Sequence, residues 1–175
     1  MNESKRKRNI EKRVVFVVGH RNWGKTSTIR ALKRICQTGE QEQYVMIGSA
    51  TFWVRSQSND DDPIKYEKAL LERTTRSANS HIIAAFCPRF NGCPSDRMRS
   101  SHHVDGFIRR LKQNGCRLFF WAIRHKQNSS ASRDILRECE ISEMGKHGQV
   151  KVFETKDKQR ILAEHLHRYI SVHVV

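Results

Sequence analysis

The chain has 175 residues, 33 of them Lys or Arg against 18 Asp or Glu, for a net charge of +15. That length holds one domain with a full hydrophobic core, and 37% hydrophobic with 29% charged residues suits a soluble globular protein. No apolar run approaches the ~18 residues needed to cross a membrane and no apolar segment follows the charged start as a secretory signal requires, so a cytoplasmic setting without a membrane partner is expected.

The basic excess implies a polyanionic partner: a nucleotide, nucleic acid or an acidic protein. Part of it lies in Lys5, Arg6, Lys7 and Arg8, then Lys12 and Arg13. These are read as a basic flexible tail over residues 1–13, ahead of one domain over residues 14–175. Five cysteines (Cys36, Cys87, Cys93, Cys116 and Cys139) stand at wide spacings and are expected as reduced thiols, Cys36 and Cys116 as small core residues.

Residues 14–18 form a continuous β-branched and aromatic run, expected as a strand buried on both faces. After residues 19–26, Ile29, Leu32, Ile35 and Cys36 share one stripe of a helix that Gly39 is placed to stop. Residues 44–47 and 51–54 read as two short strands joined through Gly48. Asp62 is a natural N-cap and Pro63 fits the first position of a helix reaching Arg76. Residues 81–87 are a second buried strand, followed by a polar loop over 89–101. Val104, Phe107, Ile108 and Leu111 fall at i, i+3, i+4 and i+7, an amphipathic helix closed by Asn114 and Gly115. Residues 117–123 are a third strand, and a short helix is expected around 132–139. A strand over 150–153 and a helix over 157–170, burying Ile161, Leu162, Leu166, Tyr169 and Ile170, complete the chain. Trp53, Phe119, Phe120 and Trp121 are assigned to the core. Strands alternating with helices imply right-handed crossovers. The expected fold is α/β, a three-layer α/β/α sandwich with a mostly parallel sheet.

The chemistry lies in Gly19, His20, Arg21, Asn22, Trp23, Gly24, Lys25 and Thr26, which satisfy the spacing G-x-x-x-x-G-K-[ST] between a strand and a helix. Glycines let consecutive backbone N–H groups turn inward as an anion nest, and the helix start adds the positive end of its dipole. Lys25 would reach the β- and γ-phosphates, Thr26 would place its hydroxyl on Mg²⁺, and Ser27 would face the α-phosphate.

On these residues the chain resembles the P-loop NTPase superfamily, and it is loosely similar to the small nucleotide and metabolite kinases. The resemblance implies a parallel sheet with ATP (or another nucleoside triphosphate) and Mg²⁺ at the carboxyl ends of the strands. The chain departs from that pattern in two places. Neither the strand ending at Cys87 nor the strand ending at Ile123 finishes in a carboxylate, and His125 to Asn128 lack the Asp of a guanine-reading motif.

A phosphotransferase gathers arginines around the transferred group, and Arg89, Arg97, Arg99 and Arg124 fall after strands on the expected ligand side. Asp60 and Asp61 are candidates for orienting an acceptor hydroxyl or helping to hold the metal, with Asp96 ranked below them. Residues 125–133 are a candidate lid. Trp23 is placed either against the nucleotide or against a partner. Two readings stand: a kinase or slow hydrolase of nucleoside triphosphates, and a nucleotide-gated module acting on nucleic acid or within an assembly. The oligomeric state is left open.

Overall fold

The computed structural model describes residues 11–76, 80–93, 102–126, 135–154 and 159–175. Lys12–Val18 form β1, in which Val14, Val15, Phe16, Val17 and Val18 are wholly buried. In chain order there follow α1 (Lys25–Ile35), β2 (Tyr44–Ile47), β3 (Ala50–Arg55), α2 (Pro63–Arg76), β4 (His81–Phe86) and α3 (Asp105–Gln113). Then come β5 (Cys116–Ile123), α4 (Glu138–Gly145), β6 (Gln149–Phe153) and α5 (Gln159–Tyr169), which runs into a π-helical turn at Ile170–Val174.

The strands make one sheet in the order β2-β3-β4-β1-β5-β6. β1 pairs in parallel with β4 on one side, Val14 opposite Ile82, and with β5 on the other, Val14 opposite Leu118. β3 and β6 extend the parallel set outward. β2 runs antiparallel, as the outer arm of a hairpin with β3. The two strands expected near residues 44–54 therefore form a sheet edge.

Alternate side chains of β1 enter two cores. Val14, Phe16 and Val18 face Tyr66 and Leu70 of α2, Phe107 and Leu111 of α3 and Met144 of α4. Val15 and Val17 face Ile29 and Leu32 of α1 and Leu162 and Leu166 of α5. Helices thus cover both faces, and the α/β sandwich read from the sequence holds. Phe16 anchors the first core, its ring 4.6 Å from Phe86, 5.4 Å from Phe120 and 6.4 Å from Phe107.

The winding changes face at β1. Its own helix, α1, lies on one side, while α3 and α4, which follow the flanking strands β4 and β5, lie on the other. In open α/β sheets a crevice opens beyond the carboxyl ends of the strands at such a point.

Several local expectations are corrected. Lys12 and Arg13 belong to β1 and not to the tail, whose residues 1–10 lie outside the described residues. Lys12 is buried and its Nζ donates to Arg73 O at 3.1 Å, while Arg13 N donates to His81 Nδ1 at 3.1 Å. α1 ends through Gln37 in left-handed backbone (φ 54°), ahead of Gly39. The helix expected at 132–139 begins only at Glu138, and residues 127–134 lie outside the described residues. Ile161, expected in the core, is 39% exposed because α5 turns Leu162, Ala163 and Leu166 inward. The thiols are not all reduced: Cys93 and Cys139, 5.8 Å apart at Cα, form a disulfide. The Asp62 cap does form, its Oδ1 accepting from Lys65 N at 3.0 Å, and Trp53, Phe119, Phe120 and Trp121 are buried. Among the described residues, no helix is long and apolar enough to cross a membrane.

Gly148, just ahead of β6, lies close against β5: a Cβ there would stand 2.3 Å from Leu118 O. Gly148→Ala is expected to force β6 away from β5 and to lower the unfolding free energy by roughly 1–3 kcal/mol, measured by urea titration.

Candidate functional site

The motif loop leaves β1 while still tied to the neighbouring strand, as Gly19 N donates to Phe86 O at 3.1 Å. A side chain at Gly19 would crowd the loop, since a Cβ would lie 3.2 Å from Trp23 Cβ. Asn22 (φ 63°) and Gly24 (φ 86°) take left-handed backbone, a conformation open to Asn and Gly at low cost. The chain curls so that Trp23 N donates to His20 O at 3.3 Å. Trp23 folds inward at 2% exposure and joins the core beneath the loop.

α1 starts at Lys25 without a side-chain cap and without an acidic residue in its first turn. Its first N–H groups lack intrahelical acceptors, and the helix dipole adds partial positive charge at the same point. A cleft of 380 Å³ opens there, lined by residues 21–27 on one side and by Ser58, Asp60 and Asp61 on the other.

The far wall is fixed by two ties. Thr26 Oγ1 donates to Ser56 O at 2.8 Å, joining the start of α1 to the end of β3. The Asn59 side chain grips the end of β4 in both directions: Nδ2 donates to Cys87 O at 2.9 Å, and Cys87 N donates to Oδ1 at 2.6 Å. A turn closed by Asp61 N donating to Ser58 O then presents both acids to the cleft. Asp60 Oδ1 is buried without a hydrogen-bond partner.

Lys25 is 5% exposed, and its Nζ donates to His20 O at 2.7 Å. Burial holds its ammonium below the ordinary lysine value; Asp60 and Asp61 work against that shift and Arg89 adds to it. The His20 ring turns away from the cleft. Its Nε2 lies 3.1 Å from Glu140 Oε1 and its Nδ1 3.8 Å from Cys87 Sγ. Burial opposes protonation of His20, but the hydrogen bonds to Cys87 and Glu140 outweigh it and push the imidazole up from 6.5 to about 9. Burial also opposes ionisation of Glu140, yet the hydrogen bonds from His20 and Arg137 hold it below the ordinary carboxylate value.

The cleft therefore gathers Arg21, Asn22, Trp23, Gly24, Lys25, Thr26, Ser27, Asp60 and Asp61 from the sequence-derived set. Gly19 shapes the loop from below. Arg89 stands near enough to act on Lys25 but does not line the cleft. Arg124 does not line it either: it pairs with Glu138 at 2.6 Å and lies 3.8 Å from Glu154. Asp96, Arg97, Arg99 and all but residues 125 and 126 of the candidate lid fall outside the described residues. Sequence reasoning missed Asn59, Cys87 and Glu140, whose roles come from partners far along the chain. Asn59 was nearest to being found, since it opens the acidic run.

Asn59→Ala strands Cys87 N, while Cys87 O keeps the bond from Arg89 N at 3.0 Å, and is expected to lower the unfolding free energy by roughly 1–3 kcal/mol in urea titration followed by circular dichroism. No protein-family model matches the chain, and no curated protein matches it.

Proposed function

We propose that this protein binds a magnesium nucleoside triphosphate, ATP, in the cleft beyond β1 and transfers its terminal phosphoryl group to an acceptor hydroxyl or, slowly, to water. On this reading the chain is a P-loop NTPase of the small-kinase kind. The observation that carries it is the bare Asp60 oxygen, buried in the same cleft as Lys25 and the uncapped start of α1. A buried carboxylate oxygen without a partner is costly, and a cation bound there would remove that cost.

The residues present fit Mg²⁺. Thr26 gives its hydroxyl proton to Ser56 O and keeps lone pairs for a metal, and Asp60 offers Oδ1. Among the described residues no three His, Cys, Asp or Glu side chains cluster as a metal cage. Mg²⁺ on a nucleotide asks for less, taking one or two protein ligands beside phosphate oxygens and water. When bound it supplies neutralisation of the phosphate charge.

The remaining work falls to the chain. N–H groups of the loop and of the first turn of α1 take the β- and γ-phosphate oxygens. Lys25 exchanges its hydrogen bond to His20 O for one to the transferred group. Its burial makes the ammonium a strong partner for an anion, because opposite charges attract more in a low-dielectric setting. Asp61, exposed at the mouth, orients the acceptor hydroxyl. Trp23 excludes water from beneath the loop, and Arg89 adds positive charge beside Lys25. Arg124 is given no part, being held by Glu138.

The second reading, a nucleotide-gated module that binds nucleic acid or an acidic protein, draws on the net charge of +15. Binding to single-stranded nucleic acid that weakens steeply with salt, with turnover absent, would favour it.

Calorimetry of Mg-ATP against the wild type and Lys25→Ala tests the first reading. Binding is expected in the wild type and to weaken by roughly 100-fold in Lys25→Ala, about 3 kcal/mol for a charge-assisted contact. Asp60→Asn should bind ATP alike with and without Mg²⁺. A wild type that binds no Mg-ATP refutes the reading.

A further inference from the structure

His20 belongs to the motif loop, yet its ring takes no part in lining the cleft. The ring packs edge-on against Trp23, with centroids 5.0 Å apart. Nε2 reaches both carboxylate oxygens of Glu140, at 3.1 and 3.2 Å, while Nδ1 faces the Cys87 thiol. Glu140 is 1% exposed and is fixed from behind, accepting from Arg137 N at 2.9 Å and from the Arg137 guanidinium at 3.2 Å. The backbone of the same histidine carries the lysine, because His20 O accepts from Lys25 Nζ. One residue thus touches α4 with its ring and the phosphate lysine with its carbonyl.

A buried carboxylate is tolerated only when paired and hydrogen-bonded. An imidazolium meets that need here, with one N–H donor for Glu140 and a second for the sulfur of Cys87. The ring cannot turn without losing one of the two, so the carbonyl behind it is held in place.

Building on the nucleotide reading above, we propose that His20 is a positioning residue for Lys25, whose ion pair with Glu140 sets how tightly the loop grips a triphosphate. The groups facing the imidazole are Cys87 at the end of β4, Glu140 on α4 with Arg137 behind it, and Trp23 of the loop; Lys25 faces its carbonyl. The imidazole is raised from 6.5 to about 9, so the pair is in place at neutral pH and is lost as pH rises through the upper value; the stability linked to it is full only below the lower one.

The test is Mg-ATP calorimetry on the full chain from about pH 6 to about pH 10, with wild type, Glu140→Gln and His20→Gln. Beside it, the backbone amides of Asn22, Gly24 and Lys25 are followed by NMR over the same range in ligand-free protein. Wild-type affinity should be level near neutrality and fall as pH rises through the His20 transition. Glu140→Gln should weaken binding about tenfold at neutral pH and move that fall to lower pH. In His20→Gln, whose amide can still donate to Glu140, the fall assigned to His20 should vanish and leave only the titration of Lys25. In ligand-free wild type the loop amides should titrate with the His20 ring. A clamp with a merely structural role would lower the melting temperature and leave the affinity profile and amide shifts unmoved. The proposal is overturned if both variants, folded by circular dichroism, keep wild-type affinity and profile, or if the amides ignore the ring. Absence of Mg-ATP binding by wild type would sink the nucleotide reading instead, and the ligand-free titration would still decide whether His20 governs the loop.

Discussion

β1 has no side that meets water. β4 and β5 take its two edges, and helices cover both of its faces, so five consecutive side chains are buried. That burial is what a run of β-branched and aromatic residues without alternation demands. It also dictates where the chain emerges: at the middle of the sheet's carboxyl edge, with neighbours on either hand. The chain can only curl tightly over its own strand and drop to one face as α1. The tether from Gly19 to Phe86, the left-handed turns at Asn22 and Gly24 and the inward Trp23 are the means by which it does so. The open helix start at the centre of the molecule follows from the packing of one strand.

Around that opening the charges fall into two layers. In front, Lys25 rests on a carbonyl and Asp60 keeps one bare oxygen, an arrangement left incomplete by the protein's own groups. Behind, His20, Glu140 and Arg137 form a closed set in which each charge meets its opposite. Between the layers, the end of β4 carries a neutral clamp. Asn59 satisfies both backbone groups of Cys87, and the acids are delivered by the next two residues of the same turn. The acids that line the cleft thus lie in the connection after β3 and not at the end of β4.

Much of this was legible wherever the signal was local. The apolar run of β1, the stripe of α1, the Asp62 cap with Pro63 and the loop spacing each need only a few neighbouring residues, and the structure has them in place. Asp60 and Asp61 were readable as an acidic run after a strand. The identity of the strands beside β1 was not, because parallel partners are chosen by crossovers and not by adjacent sequence. The Glu140–His20 pair and the Cys93–Cys139 disulfide were hidden for the same reason, both depending on where α4 packs. Lys12 and Arg13 misled through their charge: a strand can start on such residues when a carbonyl or a ring nitrogen receives their donors, as Arg73 O and His81 Nδ1 do.

The order of the sheet has a consequence for how the protein comes into being. β1 is made before the other described strands, but its two partners are Cys116–Ile123 and His81–Phe86, on the far side of the hairpin and two helices. Pairings of such separation form late, because loop closure must be met before the contact rewards it. A growing chain carries the five apolar residues of β1 before the strands and helices that bury them have been made. The motif loop therefore takes its shape only after β4 and β5 are made, and a chain cut short before β5 would carry every residue that lines the cleft without the sheet that holds them in place.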